Sequence, residues 1–333
     1  MRDVTTLTQF LIKEIIKHNH LDADLAGVVS DMACACKIIS HVSSRAALGS
    51  GLGSADSENV QGETQKKLDI IANDVIINSM QWTGRVAAMA SEEMETIHQL
   101  PEGAPLGNYL VLFDPLDGST NIDVNASTGT IFSIMRRTGT GKPTVEEFLR
   151  PGTEQICAGY TVYGPATVML LTIGDGVHAF TLDRDIGEFV LTDSNVKIPR
   201  QASEFAINSS NNRFWEEPIK RYISECVAGK EGPRGKNFNM RWVGAMVADC
   251  HRVLSRGGVF LYPRDTKDPR KPSKLRLMYE ANPIAFIAEQ AGGMASTGRQ
   301  RVLDVKPTGL HDRTPLILGS AEEVELATSY HKT

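Results

Sequence analysis

The apolar run at 109 to 113 (YLVLF) stops abruptly at Asp114-Pro115-Leu116-Asp117-Gly118-Ser119-Thr120, and this junction constrains the chain more than any other stretch. Apolar residues in a short run bounded by polar ones read as a buried strand. Pro115 has no N–H to give and is expected to stop the ladder. Leu116, Asp117 and Gly118 then make a tight turn. Two carboxylates three residues apart across such a turn face one point, with the intervening carbonyl beside them. That is a hard-oxygen site of the kind magnesium or manganese prefers. Gly118-Ser119-Thr120-Asn121 follows, small and rich in hydroxyls, and a helix or turn starting there offers free N–H groups to a phosphate beside the metal. An isolated D-x-x-D is more often a capped surface turn, whereas the whole seven-residue string is far more specific.

Helical periodicity marks 7 to 17, 25 to 43 and 66 to 81. Between the last two, 49 to 65 is polar and rich in Gly and Ser, which reads as a mobile loop. A second buried strand, 86 to 90 (VAAMA), runs into Glu92-Glu93. Further strands are expected at 129 to 137, 156 to 163, 166 to 173, 177 to 182 and 188 to 191. Strands in succession without intervening helices imply a mixed or antiparallel sheet with helices packed on it. A plausible boundary lies at 193 to 203. Beyond it come a helix near 214 to 228, a loop near 229 to 239, a helix near 243 to 256 and a strand at 258 to 262. A basic loop at 264 to 274 precedes a helix near 279 to 291, which Gly292-Gly293 ends.

A chain of 333 residues is long for one core, so two domains are expected. The net charge of -5 carries no basic surplus, which argues against a nucleic-acid partner. The N-terminus lacks the apolar core of a signal peptide. No run of roughly 18 apolar residues is evident, so no membrane association is expected. The five cysteines are odd in number, and neither Cys34-x-Cys36 nor any other spacing suggests a zinc site or a pairing. Reduced thiols in a cytoplasmic protein are the expectation.

Taken singly, the other acids are ordinary. Glu92 and Glu93 repel each other and need a cation or water. Glu63 and Asp69 flank Lys66-Lys67 as a solvated charge cluster, and Glu280 sits favourably at a helix start. Lys274 and Arg276 would suit a solvated strand.

Together they fall in a pattern. GETQKKLD (62 to 69), SEE (91 to 93), FDPLDGSTNID (113 to 123), GTIFSI (129 to 134), AGYTVYG (158 to 164), VGAMVADCHR (243 to 252) and KLRLMYEANP (274 to 283) occur in the order seen in class I fructose-1,6-bisphosphatases. The whole chain resembles that family, within the magnesium-dependent, lithium-sensitive sugar phosphatases. The resemblance implies an α/β fold of two domains, 1–196 and 197–333, whose mixed sheets and helices form an α-β-α-β-α sandwich. It implies hydrolysis of fructose 1,6-bisphosphate, with a bifunctional enzyme or a sedoheptulose-1,7-bisphosphatase as the alternative.

Carried over, Glu92, Asp114, Asp117, Glu280 and the carbonyl of Leu116 would ligate two or more Mg2+ ions, or Mn2+. Glu63, on the polar loop, would complete the acidic site. Asp69 and Glu93, with Glu92, would help activate water for in-line attack without a covalent intermediate. Asp117, Gly118, Ser119, Thr120 and Arg276 would hold the phosphate being cleaved. Asn208, Tyr262 and Lys274 would bind the sugar and its second phosphate. Arg241 would reach that phosphate from a neighbouring subunit of a homotetramer.

The chain also departs from the family. Tyrosines near the distal phosphate are replaced by Asn211 and Trp242. The AMP-inhibition loop, Thr-Gly-Glu-Leu-Thr, is matched by Asp22-Ala23-Asp24-Leu25-Ala26. The family's Lys-Tyr pair is Asn108-Tyr109 here, although Arg136 is kept. Weak or absent AMP inhibition is therefore expected. The cysteine-bearing insertion of chloroplast enzymes is missing near Cys157, so no disulfide switch is expected.

Overall fold

The computed structural model describes residues 4–18, 21–48, 53–58, 64–267 and 273–332. Helices α1 (Leu7–Lys17) and α2 (Ala23–Ser44) begin on side-chain caps, Thr6 accepting from Gln9 N and Asp22 from Leu25 N. Next, β1 (Ser54–Glu58) and β2 (Thr64–Lys66) pair antiparallel. Part of the stretch expected as a mobile loop is therefore a two-stranded ribbon, whose backbone groups find partners in each other. Helix α3 (Lys67–Met80) follows, with Asp69 in its first turn accepting from Lys66 N at 2.8 Å.

The large sheet is built from β3 (Val86–Ser91), β4 (His98–Gln99), β5 (Tyr109–Asp117), β6 (Thr128–Arg136), β7 (Gln155–Tyr163), β8 (Thr167–Thr172), β9 (His178–Asp183) and β10 (Glu188–Asp193). Its order is β10-β9-β8-β7-β6-β5-β3-β4, antiparallel throughout except for β3 and β5, which run parallel. The smaller sheet takes β11 (Glu204–Ala206), β12 (Asn239–Met240), β13 (Val259–Tyr262), β14 (Met294–Ser296) and β15 (Leu316–Gly319) in the order β12-β11-β13-β15-β14. Four more helices accompany it: α4 (Glu217–Val227), α5 (Met246–Arg256), α6 (Asn282–Gln290) and α7 (Ala321–Ser329).

Burial sorts these into five layers. Alternate residues of the large sheet (Met89, Val111, Phe113, Phe132, Phe180) face α1, α2 and α3. The other face (Leu110, Leu112, Ile131, Tyr160) meets α5 and α6, which also cover Phe260 and Leu318 of the small sheet. The far side of the small sheet (Phe205, Val259, Ile317) packs on α4 and α7. The period-two alternation of β-strands places two cores on the two faces of each sheet. This α-β-α-β-α arrangement matches the expected fold class.

Three expectations need amendment. Pro115 does not end β5: the ladder to β6 passes from Asp114↔Ile131 to Asp117↔Gly129 through a bulge. A residue without an N–H is tolerated there because a bulge leaves one residue unpaired. Helix α5 starts at Met246, later than periodicity suggests, because the Asp249 carboxylate accepts from Val243 N (2.9 Å) and Gly244 N (3.1 Å) and holds them outside the helix. Finally, α2 is long and apolar enough to reach across a bilayer, yet half of its most apolar window is buried inside this fold. All five cysteines are free thiols.

Candidate active site

The parallel pair β3 and β5 ends side by side, and the site sits at those carboxyl ends, where ligand sites of α/β sheets collect. Glu92 follows β3 directly, its N–H held by Phe113 O at 3.1 Å. The bulge in β5 turns Asp114 and Asp117 to the same side. Asp114 Oδ1 accepts from Leu116 N at 2.9 Å, and Asp117 Oδ2 accepts from Val247 N at 2.7 Å, tying the turn to the start of α5. Thr130 Oγ1 donates to Pro115 O at 2.9 Å, so the proline carbonyl at the bulge is also satisfied.

Glu280 comes from far along the chain. It lies in a single π-helical turn, Leu277–Ala281, where Ala281 N reaches Arg276 O at 3.0 Å just before α6. Such wide turns are frequent at functional sites because they re-aim a side chain. Glu280 Oε2 accepts from the Arg276 backbone N–H, and Arg276 Nη2 lies 3.0 Å from Glu92 Oε1. Carboxylate oxygens of Glu92, Asp114 and Glu280 all lie within 4.8 Å of one another, and all three residues are buried.

These carboxylates hold too much negative charge for their surroundings. Burial pushes Glu92, Asp114 and Asp117 above the usual carboxylate range. Glu280 adds to the shift at Glu92 and Asp117, and Glu92 adds to it at Asp114. Glu280 is raised by burial despite Arg276. Asp69 is pushed up to about 7 by burial, with the neighbouring Glu93 contributing. Like charges this close, out of water, favour protonation or a bound cation.

Around them a cleft of about 540 Å³ is lined by Asp69, Glu92, Glu93, Asp114, Leu116, Asp117, Gly118, Ser119, Thr120, Asn208, Tyr262, Lys274, Arg276 and Glu280. Fourteen of the sixteen candidate residues named from the sequence thus line one cavity. Arg241 is exposed and is not among the lining residues. Glu63 lies outside the described residues. Lys66 and Trp242 also line the cleft. Lys66 Nζ pairs with Asp123 at 2.8 Å; in sequence it looks like one of two solvated lysines, and only its spacing from Asp69 hints otherwise. Trp242 stacks on Phe260 (ring centroids 6.1 Å apart, planes 4° apart) and lies near Tyr262, ring centroids 6.4 Å apart. Asn211 sits beyond the cleft with Trp215 and Asp265.

Gly118 is required by shape. Its φ is +75°, and a Cβ there would lie 2.3 Å from the Ala245 side chain. The 3-10 turn Ser119–Val124 starts straight after it, leaving small residues and backbone N–H groups at the cleft wall.

Family models match nearly the whole chain: the fructose-1-6-bisphosphatase N-terminal domain over residues 5–194 and the C-terminal domain over residues 198–332. The chain belongs to the fructose-1,6-bisphosphatase family. Among solved structures, the holo form of Leishmania major fructose-1,6-bisphosphatase is 38% identical, with a TM-score of 0.91 and 99% of each chain covered. The apo form of the same enzyme aligns with a TM-score of 0.87 at 36% identity, covering 99% of this chain and 100% of the other. The carboxylate cluster fits a metal-dependent family: ligand-type oxygens of Glu92, Asp114 and Glu280 are gathered and buried, and Glu92 Oε2 has no hydrogen-bond partner among the described residues.

Proposed function

We propose that the protein hydrolyses D-fructose 1,6-bisphosphate to fructose 6-phosphate and phosphate, in gluconeogenesis or carbon fixation. The observation that carries this is the mixed charge of the acidic cleft: a buried carboxylate cluster shares one cavity with Lys274, Arg276, Tyr262 and Asn208. A sugar bisphosphate suits that lining, one phosphate meeting metal held by the carboxylates and the other the basic side chains.

Glu92, Asp114, Asp117, Glu280 and the Leu116 carbonyl would hold Mg2+ or Mn2+, with Glu63 joining them. When bound, divalent ions supply positive charge against the transferring phosphoryl group and acidify water. The remaining work falls to the chain. Backbone N–H groups from Gly118 to Thr120 and the Arg276 guanidinium orient the phosphoryl oxygens. Asp69 and Glu93 position the attacking water and take its proton; burial puts Asp69 close to neutrality, where a general base works best. Asn208, Tyr262 and Lys274 orient the sugar and the distal phosphate. We read 1–196 and 197–333 as two domains that meet across this cleft. The exposed position of Arg241, outside its own cleft, suits a role in the neighbouring subunit of a homotetramer. Five free thiols suit a reducing, cytoplasmic setting.

AMP should inhibit weakly. Asp22 already occupies the groups an AMP phosphate would need: Tyr109 donates to its Oδ1 at 2.7 Å and its Oδ2 at 2.6 Å, and Arg136 Nη2 lies 3.2 Å from Oδ2. Phosphate release from fructose 1,6-bisphosphate and sedoheptulose 1,7-bisphosphate, with Mg2+ or Mn2+ and with or without AMP, tests the proposal. Release from neither sugar, or release indifferent to metal, would overturn it.

A further inference from the structure

A second cleft, of about 380 Å³, lies between the last turns of α2, the segment joining β5 to β6, and the β7–β8 hairpin. It shares no lining residue with the acidic cleft. Its volume falls within the range of small-molecule sites, about 300–1,000 Å³. The walls carry hydroxyls and amides, and one charged side chain, Arg184, comes in from the β9–β10 turn.

Arg184 is held in an unusual way. Its Nη2 donates to Ser40 Oγ at 2.9 Å and to Thr167 Oγ1 at 3.2 Å, and these hydroxyls bond each other at 2.6 Å. Ser40 and Thr167 are each only 2% exposed. Among the described residues no carboxylate pairs with this guanidinium. Buried hydroxyls therefore orient the guanidinium of an exposed arginine that pairs with no carboxylate among the described residues, and a planar guanidinium so held is matched to a phosphate or carboxylate. Ser43 also lines the cleft, and its Oγ is buried with no hydrogen-bond partner among the described residues.

The other wall narrows the class. Ser44, Asn125, Ser127 and Thr128 bring hydroxyl and amide groups to the cleft, which suit the hydroxyls of a ligand. A ligand that satisfies both walls carries several hydroxyls and one anionic group. The cleft is also joined to the active site. Ile122, in its lining, belongs to the Ser119–Val124 turn, and Asn121 Nδ2 donates to Ser127 O at 3.2 Å, bracing that turn against the cleft wall.

We propose that this cleft binds a phosphorylated sugar or polyol as an effector, with its phosphate on Arg184, and that occupancy reaches the acidic cleft through residues 119–127. Titration calorimetry on the Mg2+-loaded Lys274→Ala variant, in which sugar-phosphate binding at the acidic cleft is weakened, tests it. The probes are ribose 5-phosphate, ribose and inorganic phosphate. Ribose 5-phosphate should bind with a Kd below about 1 mM, and adding Arg184→Ala should weaken it by roughly tenfold or more. Ser43→Leu, which fills the cleft and keeps the charge, should weaken it as much while leaving the melting temperature near that of the parent. In the otherwise wild-type enzyme, ribose 5-phosphate should change kcat/KM, and Arg184→Ala should abolish that response with kcat/KM in its absence within about twofold of wild type. No binding of ribose 5-phosphate, binding indifferent to both substitutions, equal binding of inorganic phosphate, or an unchanged kcat/KM response in Arg184→Ala would each overturn it.

Discussion

Two groups of buried carboxylates in this molecule have opposite fates. Glu323, on α7 and 2% exposed, accepts from Tyr222 Oη (2.8 Å), Arg234 Nη2 (2.6 Å) and Lys236 Nζ (3.0 Å). Burial alone would raise it, but these partners outweigh burial and hold it below its ordinary value. Glu92, Asp114 and Glu280 are buried to a similar degree, yet among the described residues Arg276 serves two of them and no basic side chain pairs with Asp114. All three are raised. Burial is thus common to both groups, and what separates a structural carboxylate from a cation-seeking one is the missing positive charge. Folding completes the first group within the chain and leaves the second to be completed from solution.

The sharpest way to break the comparison is to remove one charge from each group. Asp114→Asn should lower kcat/KM for fructose 1,6-bisphosphate by at least about 10³-fold, roughly 4 kcal/mol in the transition state, while leaving the metal-free protein as stable as the parent or more so. Phosphate release and a melt in chelator read both halves; a variant that keeps its activity would remove Asp114 from the metal set. Glu323→Gln should do the reverse. It should cost about 3 kcal/mol of stability by stranding Arg234 against Tyr222 and Phe238, with kcat unchanged in the folded fraction. Denaturant unfolding and an activity assay at low temperature check this.

Acidity should separate the groups by sign. The active-site carboxylates have raised values in the folded state, so their contribution is fully present below about pH 4 and is lost as pH rises through their folded values, about 7 for Asp69. Metal-free protein should therefore melt lower at pH 8 than at pH 6, by roughly 5 °C, and Mg2+ should stabilise more at the higher pH. Glu323 is lowered, so its contribution is present above its unfolded value, about 4.3, and is lost as the solution becomes more acidic than that. Scanning calorimetry with and without chelator, repeated on Glu323→Gln, distinguishes the two slopes. A metal-free melting temperature that climbs from pH 6 to pH 8 would contradict this account.

The smallest effect concerns a third carboxylate, Asp249, 1% exposed and satisfied by the Val243 and Gly244 N–H groups. It pins the loop that presents Trp242 to the cleft. Asp249→Asn should raise KM for the bisphosphate by about threefold to tenfold, roughly 1 kcal/mol, with kcat little changed. Steady-state kinetics decide, and a fall in kcat at constant KM would place Asp249 elsewhere in the mechanism.

Much of the architecture is legible in the sequence. The long helices α1 to α3 and strands β3 and β5 to β10 carry several full periods of apolar residues, and they form where periodicity puts them. Strands β4, β11, β12, β14 and β15 span two to four residues each; so short a segment has no period to read and exists only because neighbouring strands pair with it. Helix α7 is hard to read because Ala321, Val324 and Ala327 make only a faint apolar stripe. Pro115 misleads because a lone sequence cannot show that the partner strand accommodates a bulge.

By itself, the sequence determined the local chemistry of the phosphate turn: an apolar strand running into Asp-Pro-Leu-Asp-Gly-Ser-Thr, with a glycine that alone fits a positive φ. Those are properties of neighbours in the chain, set by side-chain size, hydrogen-bonding groups and backbone freedom. Only the tertiary structure decided that Glu92, Asp114 and Glu280 share one point, that Lys66 and Trp242 line the same cleft, and that Arg241 stays outside it. Proximity across 188 residues, from Glu92 to Glu280, is made by the sheet that sets β3 beside β5 and by the π turn that aims Glu280 inward. The charge deficit that makes the cluster a cation site arises in the same way. It depends on which bases the fold brings near those carboxylates and how much water it shuts out, and no stretch of sequence carries either quantity.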